Sequence, residues 1–331
     1  MTNMKKIGLT ALAASLVSTS AFAADFKIKG DAKLEVGQYS GVYNAGKTFA
    51  QTDQITFSSS GELENGLKVS VKYQLDQGEA VSSNSPFDDH SLQISSDALG
   101  KLVFAGHAGK SASTLIDPTA AGDIWDNFDG IGTGTQGTDL LDAQPGNNAF
   151  IYTLPSFVEG LEIFGSYKPT GSTASSATGY GLTYTGIEGL SASYADTAIK
   201  TASSTTSGDQ KVLTASYAFG PLTVSASDNK FNLGDGTVAA RVVGTADTGQ
   251  DGRSYNVAYS INEAMSVAYG IEEFKSGSTS DEDAKFNEIS TAYTTGGITL
   301  SASYSQGENI GHGTDSNQDL DYYNIATKFN F

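Results

Sequence analysis

Phe26-Lys27-Ile28-Lys29-Gly30-Asp31-Ala32-Lys33-Leu34-Glu35-Val36 alternates apolar or small residues with polar ones over eleven positions. Successive side chains of a β-strand point to opposite faces, so this stretch has one apolar and one charged face. The same period returns in Leu67, Val69, Val71, Tyr73 and Leu75, set against Lys68, Ser70, Lys72, Gln74 and Asp76. Read this way, the chain predicts sixteen strands. They are 26–40, 49–63, 67–77, 88–96, 101–108, 148–155, 161–168, 178–186, 190–199, 209–219, 222–231, 252–261, 265–275, 284–294, 298–307 and 319–331. Most reach the roughly 9–11 residues that a tilted strand needs to cross a bilayer.

The connections carry as much information as the strands. Gaps alternate long and polar with tight, the tight ones including Glu64-Asn65-Gly66 and Gly220-Pro221. The six prolines all fall in gaps or at strand ends, where a missing ladder donor does no harm. A soluble sandwich has no reason to gather its long loops at one end, whereas an outer-membrane barrel has short periplasmic turns and longer external loops. The fold class predicted is all-β: a sixteen-stranded antiparallel transmembrane β-barrel. The segment 237–243 within the sixth long gap is read as an excursion of that loop.

Composition narrows the function. Mean hydropathy is −0.22, and no stretch beyond residue 23 reaches the length of a membrane-spanning helix. That excludes a helical membrane protein and leaves a barrel open, because barrel strands place apolar residues at every second position. There are no cysteines, so the fold rests on hydrogen bonding and packing. A net charge of −18 argues against nucleic acid as a partner and favours cations.

At the start, Lys5 and Lys6 precede the mostly apolar run Ile7 to Val17 and the small-residue site Ala21-Phe22-Ala23. This reads as a signal peptide over 1–23, with the barrel domain over 24–331. Tyr167, Tyr184, Tyr259, Tyr269 and Tyr293 suit an aromatic girdle at the membrane interface. The repeated strings at Leu190–Tyr194, Leu213–Tyr217 and Leu300–Tyr304 place Leu, Ala and Tyr on one face.

Taken together, the signal peptide, sixteen strands, outsized gap after strand 5 and aromatic ending resemble the general diffusion porins of Gram-negative outer membranes. The likeness is to the α-proteobacterial, Rhodobacter-type porins, and it spans the mature chain. The ending Tyr323-x-Ile325-x-Thr327-x-Phe329-x-Phe331 looks like the signal read by the outer-membrane assembly machinery, with Tyr323, Phe329 and Phe331 as its aromatic positions. The resemblance implies a homotrimer of water-filled barrels among outer-membrane lipids and lipopolysaccharide. It also implies a third long loop folded inward, whose acidic groups face a basic cluster across the channel.

The gap from about Gly109 to Asn147 is the longest, and loops of that length are usually functional or disordered. It holds the only tryptophan, Trp125, with Ile124, Phe128, Leu140 and Leu141 as groups suited to pinning it on a wall. Asp117, Asp123, Asp126, Asp129, Asp139 and Asp142 stand there against Lys110 alone. Carboxylates lining a constriction concentrate cations. With the resemblance, Asp123, Asp126 and Asp129, then Asp117, are the acidic side of the constriction. For the basic side, strand parity turns Lys27, Lys29, Lys33, Lys68, Lys72 and Lys101 inward, of which Lys33, Lys68 and Lys72 are the choices. The chain departs from the family's arginine-rich cluster, having only Arg241 and Arg253, and lysine lacks arginine's rigid fork.

Other signals are weak. Gly132-x-Gly134-x-x-Gly137 follows no buried parallel strand. Asp315-x-Asn317-x-Asp319 lacks the glycine and glutamate of a calcium loop. Loose divalent binding by loop carboxylates is the only metal chemistry expected, and no cofactor is implied. His90, His107 and His312 show no ligand spacing, and nothing marks a nucleophile with its base. The sequence predicts an outer-membrane channel for passive, size-limited diffusion of ions and small hydrophilic solutes, with mild cation preference and no enzymatic activity. A non-conducting barrel, adhesive or structural, is the competing reading.

Overall fold

Strand 1 is where the barrel shuts. In the computed structural model, β1 (Asp25–Ser40) pairs antiparallel with β2 (Lys47–Glu62) on one side and with β16 (Leu320–Asn330) on the other. Residues 25–40, 47–76, 87–107, 109–128, 143, 147–169, 176–200, 207–233, 249–276, 282–312 and 319–331 are described. The signal peptide and segment 237–243 lie outside them.

Between these two ends run β3 (Lys68–Asp76), β4 (Asp89–Ser96), β5 (Gly100–His107), β6 (Ala149–Thr153), β7 (Leu161–Lys168), β8 (Ser176–Tyr184) and β9 (Leu190–Lys200). They are followed by β10 (Ser207–Phe219), β11 (Leu222–Leu233), β12 (Gly249–Ser260), β13 (Met265–Ser276), β14 (Ala284–Thr295) and β15 (Ile298–Glu308). Every strand pairs with both sequence neighbours, and the sixteen form one closed antiparallel barrel. Closure satisfies the backbone ladder without leaving an edge, the condition for strands to cross a membrane.

Register sorts the side chains as the alternation predicts. Exposed apolar residues such as Leu34, Leu213, Val257, Tyr269, Ile289 and Leu300 lie on the outer face. At the seam, Gly30 and Phe331 exchange both backbone hydrogen bonds, 2.8 and 2.9 Å. A Cβ at Gly30 would sit 2.5 Å from the Phe331 ring, so the terminal aromatic uses space that only glycine leaves.

The buried residues are inside the barrel. Tyr39, Phe274, Phe286, Leu320 and Tyr322 all stand at inward positions and form one cluster with Ile124, Phe128 and Ile310. Ala112, Ile116, Phe164, Ala195 and Val212 form a second. Each cluster joins wall residues to residues 112–128, so a folded-in segment supplies the core that a wide barrel otherwise lacks.

Candidate functional site: the inward third long loop

After β5 the chain enters the barrel and travels along its inner wall. Ser111 caps α1 (Ala112–Leu115) in a capping box with Thr114. The helix lies on β7–β9: the Ala112 N–H donates to Ser166 Oγ (2.8 Å) and the Ser113 N–H to Thr197 Oγ1 (3.0 Å). Further along, Ser227 Oγ donates to the Pro118 carbonyl (2.9 Å) and the Ala120 N–H to Ser254 Oγ. A 3-10 helix, Ile124–Phe128, then crosses β13–β15. The Trp125 N–H donates to Glu272 Oε2 (3.0 Å), Asn127 Nδ2 to Glu288 Oε2 (3.4 Å), and Tyr39 Oη to the Asn127 carbonyl (2.6 Å). Ala143 donates to Gln210 Oε1 (2.7 Å), adding an anchor on β10. These bonds run from β7 through β15 to β1 and leave β2–β6 as the facing wall.

Glycines in the wall make room for the loop. A Cβ at Gly179 would lie 2.8 Å from Ala112 Cβ, and one at Gly270 3.0 Å from both Ala121 Cβ and Ile124 Cδ1. Gly307 makes the same allowance for Ile310 and Phe128. Phe128 is fully buried and stacks on Phe286 at 5.5 Å between ring centroids. Of the apolar loop residues, Ile124 and Phe128 are buried, while Trp125 is only partly so and its indole N–H points to Asp123 Oδ1 (3.4 Å). A 3-10 turn separates adjacent side chains by about 120°, so Ile124 and Trp125 cannot share one face. Leu140 and Leu141 lie outside the described residues.

The loop's acids are turned away from this wall. Asp117, Asp123 and Asp126 are all exposed. Asp123 holds φ +58° directly after Gly122 at +90°. Aspartate tolerates this left-handed conformation better than most side chains. Its Oδ1 accepts from Thr119 Oγ1 at 2.7 Å, which fixes the turn. The Asp117 carboxyl is exposed by area yet crowded by its own loop. Desolvation raises its pKa above the usual carboxylate value; the Thr119 N–H (3.0 Å) opposes that shift and Asp123 reinforces it. Asp129, Asp139 and Asp142 lie outside the described residues.

Lys68 and Lys72 face inward from β3 on the facing wall, and Lys33 faces inward from β1, the strand whose Tyr39 holds the loop. Lys33 Nζ lies 2.5 Å from Glu35 Oε2, and Lys72 Nζ 2.6 Å from Asp89 Oδ2. Lys328 of β16, unremarked in the sequence reading, stands opposite Lys33 across the seam and pairs with Asp31 at 3.2 Å. Arg253 faces outward beside Asp228, away from the lumen. Register also brings His90 and His107 together, with rings 6.3 Å apart at the bulge between β4 and β5.

Glu272, Glu288 and the docking aromatics were missed by sequence reasoning. Their signal is present in the alternation: Tyr39, Phe164, Phe274, Phe286 and Tyr322 are aromatic at positions whose parity is lumenal. A large apolar side chain facing water inside a barrel marks the place where something covers it.

A closed barrel with an apolar exterior, a polar interior and a loop folded into its bore is a membrane channel of the outer-membrane type. The model of the Gram-negative porin family matches residues 8–331, and the chain belongs to that family. It is a β-barrel of the bacterial outer membrane that serves as a diffusion channel. No curated protein sequence matches it. Among solved structures it is similar to an anion-selective porin from Comamonas acidovorans, at 15% identity and TM-score 0.68, covering 93% of this chain and 100% of that one. It is also similar to OmpT of Vibrio cholerae in its trimer form, at 12% identity and TM-score 0.68, with 93% and 100% covered. A mutant Rh. blastica porin gives 14% identity and TM-score 0.61 over the same shares.

Proposed function

We propose that this porin prefers cations, that residues 109–128 of the third long loop set the preference, and that Asp117, Asp123 and Asp126 carry it. Asp129 is proposed as a further member of the acidic rim. The observation that carries the reading is an imbalance of exposed charge. The three loop carboxylates are exposed, whereas the inward Lys33 and Lys72 are each held within 2.6 Å of a carboxylate. A paired lysine presents little net field to a passing ion, and low-dielectric walls amplify the field of the exposed acids. Lys68 remains the candidate for a basic counter-group. An anion-selective neighbour at 15% identity shares the fold, and selectivity follows the side chains.

The permeants are ions and small hydrophilic solutes, limited in size by the loop. A homotrimer is proposed as the working state, supported by the trimeric form of a structural neighbour. The mature chain is proposed to begin at Ala24, and any divalent binding by loop carboxylates to be loose.

The test is the reversal potential across a planar bilayer under a potassium chloride gradient. The parent channel should prefer potassium, and Asp123→Asn with Asp126→Asn should move the potential toward zero while the barrel still inserts. Anion preference in the parent at neutral pH would overturn the reading.

A further inference from the structure

One buried residue in the cluster around Phe128 comes from neither the barrel wall nor the third long loop. Ile310 lies in the connection between β15 and β16, is 4% exposed, and joins Phe128, Phe286 and Leu320. The notch at Gly307 admits both side chains: a Cβ there would lie 3.0 Å from Ile310 Cδ1 and 3.2 Å from Phe128 Cδ1. Phe128 thus has Phe286 of β14 beneath it and Ile310 beside it. Phe128 is also the last residue of the 3-10 helix that carries Trp125 and Asp126.

Loops of this kind ordinarily run over the surface in water. Here the connection is turned inward by bonds to its neighbour, the connection between β13 and β14. His312 is 9% exposed. Its Nδ1 donates to the Glu282 carbonyl (2.9 Å), and the Glu282 N–H donates back to the His312 carbonyl (3.2 Å). A carbonyl only accepts, so Nδ1 carries the proton. Asn309 is tied in three ways. Its N–H donates to Asp319 Oδ1 (3.1 Å), its Nδ2 to the Asp283 carbonyl (3.1 Å), and its own carbonyl accepts from the His312 N–H (2.9 Å). Asp283 in turn lies 3.5 Å from Lys275 Nζ near the end of β13.

The backbone shows that this shape is imposed. Asn309, Gly311 and His312 hold φ of +52°, +73° and +59°. Asparagine and histidine enter the left-handed region more readily than most side chains, yet each still stores strain there. Such backbone persists only where its surroundings fix it, and it gathers at functional positions. Between the two strained residues stands Ile310, whose side chain the bonds on either side deliver onto Phe128.

We propose that residues 309–312 are a strap on the third long loop, with His312 as its positioning residue. His312 holds Ile310 on Phe128, and through Phe128 it sets where the 3-10 helix and its carboxylates stand in the bore. The effect on ion preference rests on the proposed role of the loop acids; the mechanical effect does not.

Trp125 is the chain's only tryptophan, so its fluorescence reads the helix directly. In the purified full-length barrel in detergent, His312→Ala should raise acrylamide quenching of Trp125 about two-fold and speed exchange at the Asp126 amide about ten-fold. In planar bilayers under a potassium chloride gradient, the reversal potential of that variant should move toward zero. His312→Asn should keep the parent's values in all three, because its Nδ2–H takes the place of the imidazole Nδ1–H and asparagine accepts positive φ. His312→Gln, one bond longer, should behave like the alanine variant. Should His312→Ala fail to fold, Ile310→Ala carries the same expectations. Parental quenching and exchange in a folded His312→Ala barrel would overturn the proposal, as would an asparagine variant that matches the alanine one. A released tryptophan with an unchanged reversal potential would reduce the strap to packing and overturn its part in permeation. Anion preference in the parent would defeat the selectivity reading alone, since quenching and exchange read the strap without it.

Discussion

Truncating Phe128 to alanine isolates what holds the loop on the wall. The ring is fully buried against Phe286, Ile310 and the notch at Gly307, so its removal leaves a cavity the rigid ladder cannot close. Such a change costs about 3–5 kcal/mol. The barrel's hydrogen-bonded strands do not depend on this ring, so the loss falls on docking of the 3-10 helix. At about 1.4 kcal/mol per factor of ten, the undocked fraction rises roughly 100- to 3000-fold. Upstream, Ser113 on Thr197, Pro118 on Ser227 and Ala120 on Ser254 keep their bonds. Release should therefore be confined to about Asp123–Phe128. Hydrogen exchange is the direct assay: the Trp125 amide, held by Glu272, and the Asp126 amide, held by the Asp123 carbonyl at 3.1 Å, should lose protection while β13 and β14 keep theirs. Single-channel records should become noisier. Exchange at both amides within two-fold of the parent would refute the account, because it would mean that Phe128 fills space without holding the helix.

Two further outcomes follow from the same geometry. As pH falls, Asp117 takes up its proton earlier than an unperturbed carboxylate, since desolvation raises its pKa. Cation preference should then begin to decline above the usual carboxylate range, and Asp117→Asn should remove that early limb from a titration of reversal potential; superimposable profiles would deny Asp117 its place in the field. Gly270→Leu puts a Cβ 3.0 Å from Ala121 and Ile124 and the rest of its side chain further into the loop. Overpacking of this kind costs about 1–3 kcal/mol and should shift the helix toward the opening. Lower single-channel conductance is expected, and an unchanged value would show that the loop yields elsewhere.

The barrel was legible in the sequence because its rule is local. Period two needs only a few residues to declare which face is apolar, and the sixteen predicted segments fall on β1–β16 with ends shifted by a few residues. Glycine and proline mark the turns for equally local reasons. The candidate site was legible as composition, an acidic loop with apolar anchors, and less so as geometry. That Ile124 and Phe128 are buried while Trp125 is only partly so depends on a 3-10 turn that five residues do not announce. That Lys33 and Lys72 are paired depends on Glu35 within the strand and on Asp89 from the next one.

Sequence alone therefore determined the strands, their two faces, the end at which long loops gather and the acidic character of the longest loop. Tertiary structure decided which charges meet. Lys33 faces Lys328, Lys211 faces Lys230, and Glu272 lies beneath Trp125, only because the barrel closes with one particular stagger. Alternation along a strand survives any sliding by two residues, so it says nothing about the partner across the ladder. Closure removes that freedom, and with it the register of every charge inside and outside the wall is set.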